Sequence, residues 1–272
     1  MEQPHTLVEA LQGHFIGALT FDFTRYLIAA GVMTLVLLAL PGWVRRRRIQ
    51  KRKATRADYL REFFSSLRTV FVFAVTTLTT LAMRETGFLK LVGGPVDWGL
   101  LAVQLGAMVL LHDAYFYWMH RALHHKALFR ATHLHHHKSR TPTPWAAYSF
   151  SAWEAVAEAA FVPAYLLVLA LAGLEVHFWV MLAFLWHMLA RNVMGHAGVE
   201  LFPRFWVDSK LTDWITTTTH HDLHHSEGSH NFGLYFTWWD RWMGTEHPQY
   251  KERFREVVSR TRPGKVDAVP AE

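Results

Sequence analysis

The chain contains no cysteine among its 272 residues. That absence excludes disulfides, iron–sulfur clusters, a thiolate-ligated haem and a cysteine nucleophile, and leaves any metal to His, Asn, Asp or Glu. Acidic residues are the minority charge, 22 against 28 Lys and Arg, for a net charge of +6 and a pI near 9.6. No nucleic-acid partner is expected, because the positive charge concentrates in one run beside an apolar block and no nucleic-acid motif accompanies it. A cleaved signal peptide is not expected either: Glu2 and Glu9 stand where a secretory leader carries basic residues, and no small-residue cleavage site follows. Prenylation and KDEL-type signals are missing.

What is present is hydrophobicity, 51% of the residues, with 12 Trp. It is gathered into long blocks separated by basic and His-rich segments, the pattern of a multi-pass membrane protein. The reading is all-α, with about four to five spans or hairpins and a cytosolic His-rich helical cap. Spans are expected over Tyr26–Val44, which is free of charge, and over Phe63–Met83, Trp98–Met119, Val156–Ala172 and Phe178–Met194. Arg45 to Arg48, with Lys51, Arg52 and Lys53, follows the first block and places that loop in the cytoplasm. The same run is a candidate docking patch for an acidic electron donor or for anionic headgroups. Counting crossings from there puts every His cluster on that one side. The expected division is 1–104, membrane helices and basic loop; 105–250, catalytic domain; and 251–272, a polar, frayed tail.

Histidine is the unusual residue. Eight of the 19 fall between His112 and His137, a second group lies at His220–His225, and His196 stands between them. His120 and His124 are four apart; His133, His136 and His137, like His221, His224 and His225, follow i, i+3, i+4 spacing. On a helix, each set projects from one face and converges on a metal. One metal takes about four to six donors, so nine convergent imidazoles imply two metals. The number overshoots a zinc site. The paired Glu-x-x-His motifs of soluble di-iron bundles are missing, with Glu227–His230 the only such spacing. Imidazole-held iron beneath apolar helices suits activation of dioxygen against an unactivated C–H bond of a lipid, giving a hydroxylase or, after loss of a second hydrogen, a desaturase. A non-enzymatic metal-binding or metal-transporting membrane protein is the alternative; it predicts ligands along the spans rather than beyond their ends.

Asp113, Tyr117, Trp118, His120, Arg121 and His124 form D-x-x-x-Y-W-x-H-R-x-x-H, and His133, His136 and His137 an H-x-x-H-H followed by TPTPWAAYSF. Asn192 and His196 precede GVELFP, and His221–His225 read HDLHH before NFGLYFTWWDRWMGTEHP. This series resembles the sterol desaturase and fatty acid hydroxylase superfamily over about Asp113 to Pro248. The resemblance implies a helical membrane fold, two iron ions, dioxygen as co-substrate and a lipid substrate such as a sterol or fatty acyl chain. It implies His120, His124, His133, His136, His137, His196, His221, His224 and His225 as catalytic metal ligands, with His125 an alternative to His124. Asn192 stands where some relatives place another histidine, so it binds through water or leaves one iron a ligand short. Asp113 is similar to an acidic position that orients a ligand imidazole. His112, His135, His187 and His220 are read as non-ligands, and Trp145, Tyr148, Trp238 and Trp239 as interfacial anchors. Electrons are expected from a separate ferredoxin or cytochrome b5 type protein, and the bacterial inner membrane is favoured over the endoplasmic reticulum.

Overall fold

The computed structural model describes residues 7–260. It is built almost wholly of helices: α1 (Leu7–Ala39), α2 (Pro41–Arg47), α3 (Arg56–Glu85), α4 (Trp98–Leu123), α5 (Phe129–Thr132), α6 (Ala152–Leu171), α7 (Phe178–Gly195), α8 (Thr218–Glu227), α9 (Trp238–Trp242) and α10 (Tyr250–Ser259). Four of them, α1 from Gln12, α3, α4 and α6, are long and apolar enough to cross a membrane, and the chain is an integral membrane protein. Helix α7, the fifth expected span, carries His187, Arg191 and Asn192 on its 18 residues and falls short of that standard.

The first span lies further toward the N-terminus than its charge-free stretch indicates. Asp22 and Arg25, one turn apart, pair with each other, and Arg25 also donates to the Leu185 carbonyl of α7, so both charges sit buried inside the helix. A paired and hydrogen-bonded charge is tolerated in an apolar span where a lone one is not. The helix stops at Ala39 because proline at 41 lacks an amide hydrogen and opens α2 instead.

Helix α3 starts at a reciprocal cap: Thr55 accepts from the Asp58 amide while Asp58 accepts from Thr55. It packs along α1 and α6. At the far end the α3–α4 and α6–α7 turns meet, where β1 (Leu91–Val92) pairs in parallel with β2 (Val176–His177). At the opposite end the basic loop folds onto the segment after α7: Ile49 donates to the Gly198 carbonyl and Glu200 to that of Arg47. Both turns therefore lie at one pole, and the basic run shares the other with the His-bearing segments.

Residues 251–259 are not a frayed tail. They belong to α10, whose buried Tyr250, Phe254, Val257 and Val258 recur at helical spacing, with Tyr250, Phe254 and Val258 packed against Phe202, Val207 and Leu223. Residues 261–272 lie outside the described part.

Candidate metal centre

The nine expected histidines gather into two groups: His120, His124, His133, His137 and His224, then His136, His196, His221 and His225. The boxes are not the units. His133 and His137 serve the first group while His136 serves the second, and His224 joins the first while His221 and His225 join the second. The second and third boxes each straddle both centres, while His120 and His124 of the first stay together. The second box also does not form one continuous helix. A short α5 gives way to a tight turn at His136–Lys138, which fans the three rings apart.

His120 Nε2 lies 3.0 Å from His133 Nε2, and the Nε2 atoms of His124, His137 and His224 form a triangle with sides of 3.1 to 3.2 Å. In the second group His196 Nε2 lies 3.2, 3.1 and 3.0 Å from those of His136, His221 and His225. Four of the opposite nitrogens are already committed, whereas Nδ1 of His225 is buried without a partner. Nδ1 of His120 donates to the Phe232 carbonyl, that of His133 to Glu154, that of His196 to the Asn192 carbonyl and that of His224 to the His230 carbonyl. An acceptor at Nδ1 fixes the proton there, so a neutral ring presents a bare lone pair at Nε2. Lone pairs crowded at this distance repel one another unless a cation lies among them.

The spacing also bears on such a cation. Two nitrogens each about 2.1 Å from one metal sit about 3.0 Å apart at a right angle and about 3.4 Å apart at the tetrahedral angle. The observed 3.0 to 3.2 Å lies within the range that two nitrogens sharing one metal would span. Imidazole donors suit iron, so the residues fit the implied metal pair.

Electrostatics keep these rings in the ligand form. Burial, then the neighbouring imidazoles, hold His124 down at about 2 and His137 at about 3. Burial holds His196 at about 4 despite its bond to Asn192. His133, His136, His221, His224 and His225 are pushed well below the ordinary imidazole value by the same two causes.

Three surrounding residues differ from expectation. Asp113 does not orient an imidazole; its carboxylate accepts from the amides of Tyr235 and Phe236 and fixes that loop. The carboxylate on a ligand ring is Glu154, 2.7 Å from His133 Nδ1. Ser151 caps α6 by accepting from the Glu154 amide and donates to the Thr132 carbonyl, so one motif ties α6 to the second box. Its sequence signal is S-x-x-E opening an apolar helix, a carboxylate where one is costly. Asn192 uses its side-chain nitrogen on the Ala147 carbonyl and its backbone carbonyl on His196. Those contacts orient His196 rather than add a ligand, and the neighbouring group is the one with four histidines.

The other histidines stay outside both groups. His112 bonds Tyr235 Oη, His187 lies tilted against the Tyr235 ring, and His220 lies 3.4 Å from Asp240. His125 is exposed at the helix end while His124 enters the first group. Asp240 in turn accepts from the amides of Phe232 and Gly233, setting the carbonyl that His120 uses. A Cβ on Gly233 would stand 2.5 Å from the Phe236 carbonyl oxygen, so only glycine allows this turn.

Beside the centre lies a cavity of about 300 Å³ between α1, α3, α4, α6 and α7. Phe116, Phe150 and Asn192 form its inner wall. Behind them stand His120, 5.1 Å from the Phe116 ring, His136, 5.2 Å from Phe150, and His196.

Comparison with known proteins agrees with this geometry. The profile of the fatty acid hydroxylase family matches residues 105–245, just over half of the chain, and the chain belongs to that family. It is 30% identical over 158 residues to a Delta(7)-sterol 5(6)-desaturase of Gibberella zeae, covering 57% of this chain and 45% of the relative. It is 28% identical to the lathosterol oxidase of Mus musculus, over 69% of this chain and 61% of that one. Identity to a methylsterol monooxygenase of Aspergillus fumigatus is 31%, over 63% and 55% respectively. The chain thus spans between 45% and 61% of the length of these relatives. No solved structure matches it significantly.

Proposed function

We propose that the protein is a membrane oxidoreductase that holds two iron ions and uses dioxygen to hydroxylate or desaturate a lipid, such as a sterol, fatty acyl chain or related molecule. The observation that carries this reading is the pair of groups whose Nε2 atoms face one another, with the Nδ1 protons of His120, His133, His196 and His224 held elsewhere. His120, His124, His133, His137 and His224 would hold one ion and His136, His196, His221 and His225 the other. Iron bound there supplies the reduction of dioxygen and the attack on an unactivated C–H bond. The chain's own contribution is position and dryness. Glu154, Asn192 and Phe232 lock the ring orientations, and the apolar cavity presents a hydrocarbon to the inner wall while excluding water. The names of the relatives, all of them sterol enzymes, support a lipid substrate.

Electrons are proposed to come from a separate ferredoxin or cytochrome b5 type protein. Arg45, Lys51, Arg52 and Lys53 are exposed at the same pole as the centre and offer an acidic donor a docking patch. That pole is proposed to face the cytoplasm, with the chain in a bacterial inner membrane. The purified protein is expected to carry two iron ions per chain and to consume oxygen when supplied with reductant and lipid. Zinc in place of iron, with no oxygen uptake on any lipid, would instead support the non-enzymatic metal-binding alternative.

A further inference from the structure

A row of rings leads from the first His group to the surface, on the side away from the cavity. Tyr117 stands three residues before His120 on α4, about 4.5 Å along the axis. The Phe232 ring fills the gap, 5.7 Å from the His120 ring and 6.3 Å from that of Tyr117. On its other face Tyr117 is stacked on Trp239 at 5.8 Å, and Trp239 meets Trp242 at 5.3 Å. Tyr117 is fully buried and Trp242 is 63% exposed, so the row has an inner and an outer end.

Phenol and indole are the rings that most readily give up one electron. A phenol radical cation is so strong an acid that a buried phenol yields its electron only together with its proton. Tyr117 has a place to send that proton. Thr245 Oγ1 lies 2.9 Å from Tyr117 Oη and donates its single hydrogen to Asp240 Oδ1 at 2.7 Å. The Tyr117 hydroxyl therefore donates to Thr245, and the relay from phenol through hydroxyl to carboxylate runs in one direction. Arg121 donates to the same phenol oxygen from 3.2 Å and holds it in place once the proton has moved.

We propose that Tyr117, Trp239 and Trp242 form an outlet for oxidising power, supplying electrons when dioxygen is reduced at the centre with no lipid there to supply them. This outlet rests on the oxygen-using reading of the centre. In each passage Tyr117 loses one electron toward the centre as its O–H bond breaks; its proton goes to Thr245 and the Thr245 proton to Asp240. Trp239 then returns an electron to the phenoxyl radical, both protons move back, and Trp242 refills Trp239. A one-electron reductant in solution, such as ascorbate, restores Trp242. Two passages replace the two electrons that a lipid C–H bond would have given, so dioxygen ends as water with protons from solvent, and the ligand histidines are spared. The chain has no cysteine to take the oxidation in their place.

Radical transfer along the row can be followed without any metal. Met243→Cys, the only thiol in the full chain, carries a ruthenium photo-oxidant beside Trp242. After a laser flash with an electron acceptor present, the absorption of a tryptophan radical is expected to give way to that of a tyrosyl radical. Adding Tyr117→Phe is expected to abolish the tyrosyl signal, and Thr245→Val, which removes the proton acceptor, to remove most of it. Rings that only anchored the chain at a membrane interface would give no tyrosyl radical. In a second measurement the iron-loaded protein is reduced once and given dioxygen without lipid, and its peptides are mapped by mass spectrometry. Oxidation is expected at Trp242 in the unaltered protein and at His120, Phe232 and their neighbours in Trp239→Phe. A tyrosyl signal that survives Tyr117→Phe, or oxidation products that stay in place in Trp239→Phe, overturns the outlet. Should a buried variant fail to fold, the chain carrying Met243→Cys alone decides, since absence of a tyrosyl radical after the flash is enough to overturn it. Radical transfer in a chain that takes up neither iron nor oxygen would overturn the oxygen-using reading and the outlet with it; iron and oxygen uptake without radical transfer would overturn the outlet alone.

Discussion

At the residue scale, the deciding feature is which nitrogen of each histidine is free. The carbonyls of Phe232, Asn192 and His230 and the carboxylate of Glu154 each hold an Nδ1–H, and the metal-facing lone pair follows from that. His124→Ala is therefore expected to lower the bound metal, measured by elemental analysis, while His125→Ala, on an exposed ring at the helix end, leaves it unchanged. Equal loss in the two would reverse the assignment of the first box. Glu154→Ala frees the His133 ring to turn and is expected to weaken metal affinity by about 10- to 100-fold, as read from metal retained against a graded chelator. Sequence spacing was enough to pick eight of the nine histidines that gather here, because imidazoles at i, i+3 and i+4 have few other reasons to accumulate, and the family resemblance added His196. Spacing could not assign them to centres, because that depends on the turn at His136–Lys138 and not on a helical face. Nor could it identify Glu154, whose meaning appears only when α6 meets the second box.

At the element scale, amphipathic spacing competes with polarity as a guide. Helix α10 reads as a charged tail when its residues are counted, yet Tyr250, Phe254, Val257 and Val258 form one apolar stripe. Phe254 is fully buried, and Phe254→Ala is expected to cost about 3 kcal/mol or more, visible as a lowered unfolding temperature of the purified protein. An unchanged temperature would restore the frayed tail. The first span teaches the converse. A stretch chosen for lacking charge was displaced, since Asp22 and Arg25 neutralise each other within the helix and a proline, invisible to hydropathy, ends it. Both effects are pairwise, and a sum over single residues does not contain them.

At the scale of the whole molecule, the missing cysteine becomes an experimental asset, since any thiol introduced is the only one in the chain. Arg52→Cys and Lys126→Cys lie at the pole of the basic run and of the His groups; Glu175→Cys lies at the pole of the paired turns. With a membrane-impermeant thiol reagent, the first two are expected to label from the same side of the membrane and the third from the other. Labelling of Arg52→Cys and Lys126→Cys from opposite sides would break the proposed topology. The number of crossings was legible from hydropathy to within one helix. Helix α7 defied that count because its polar residues, Arg191 and Asn192, face inward to hold the segments around the centre.

The interleaving of the second and third boxes has a consequence for how the apoprotein takes up its ions. Seating one ion at either position pins the backbone of both boxes and so prepares the other position, which makes occupancy by a single ion a scarce intermediate. Titration of the apoprotein with ferrous iron is expected to rise sigmoidally toward two equivalents; a curve of two independent steps would mean the centres fill separately.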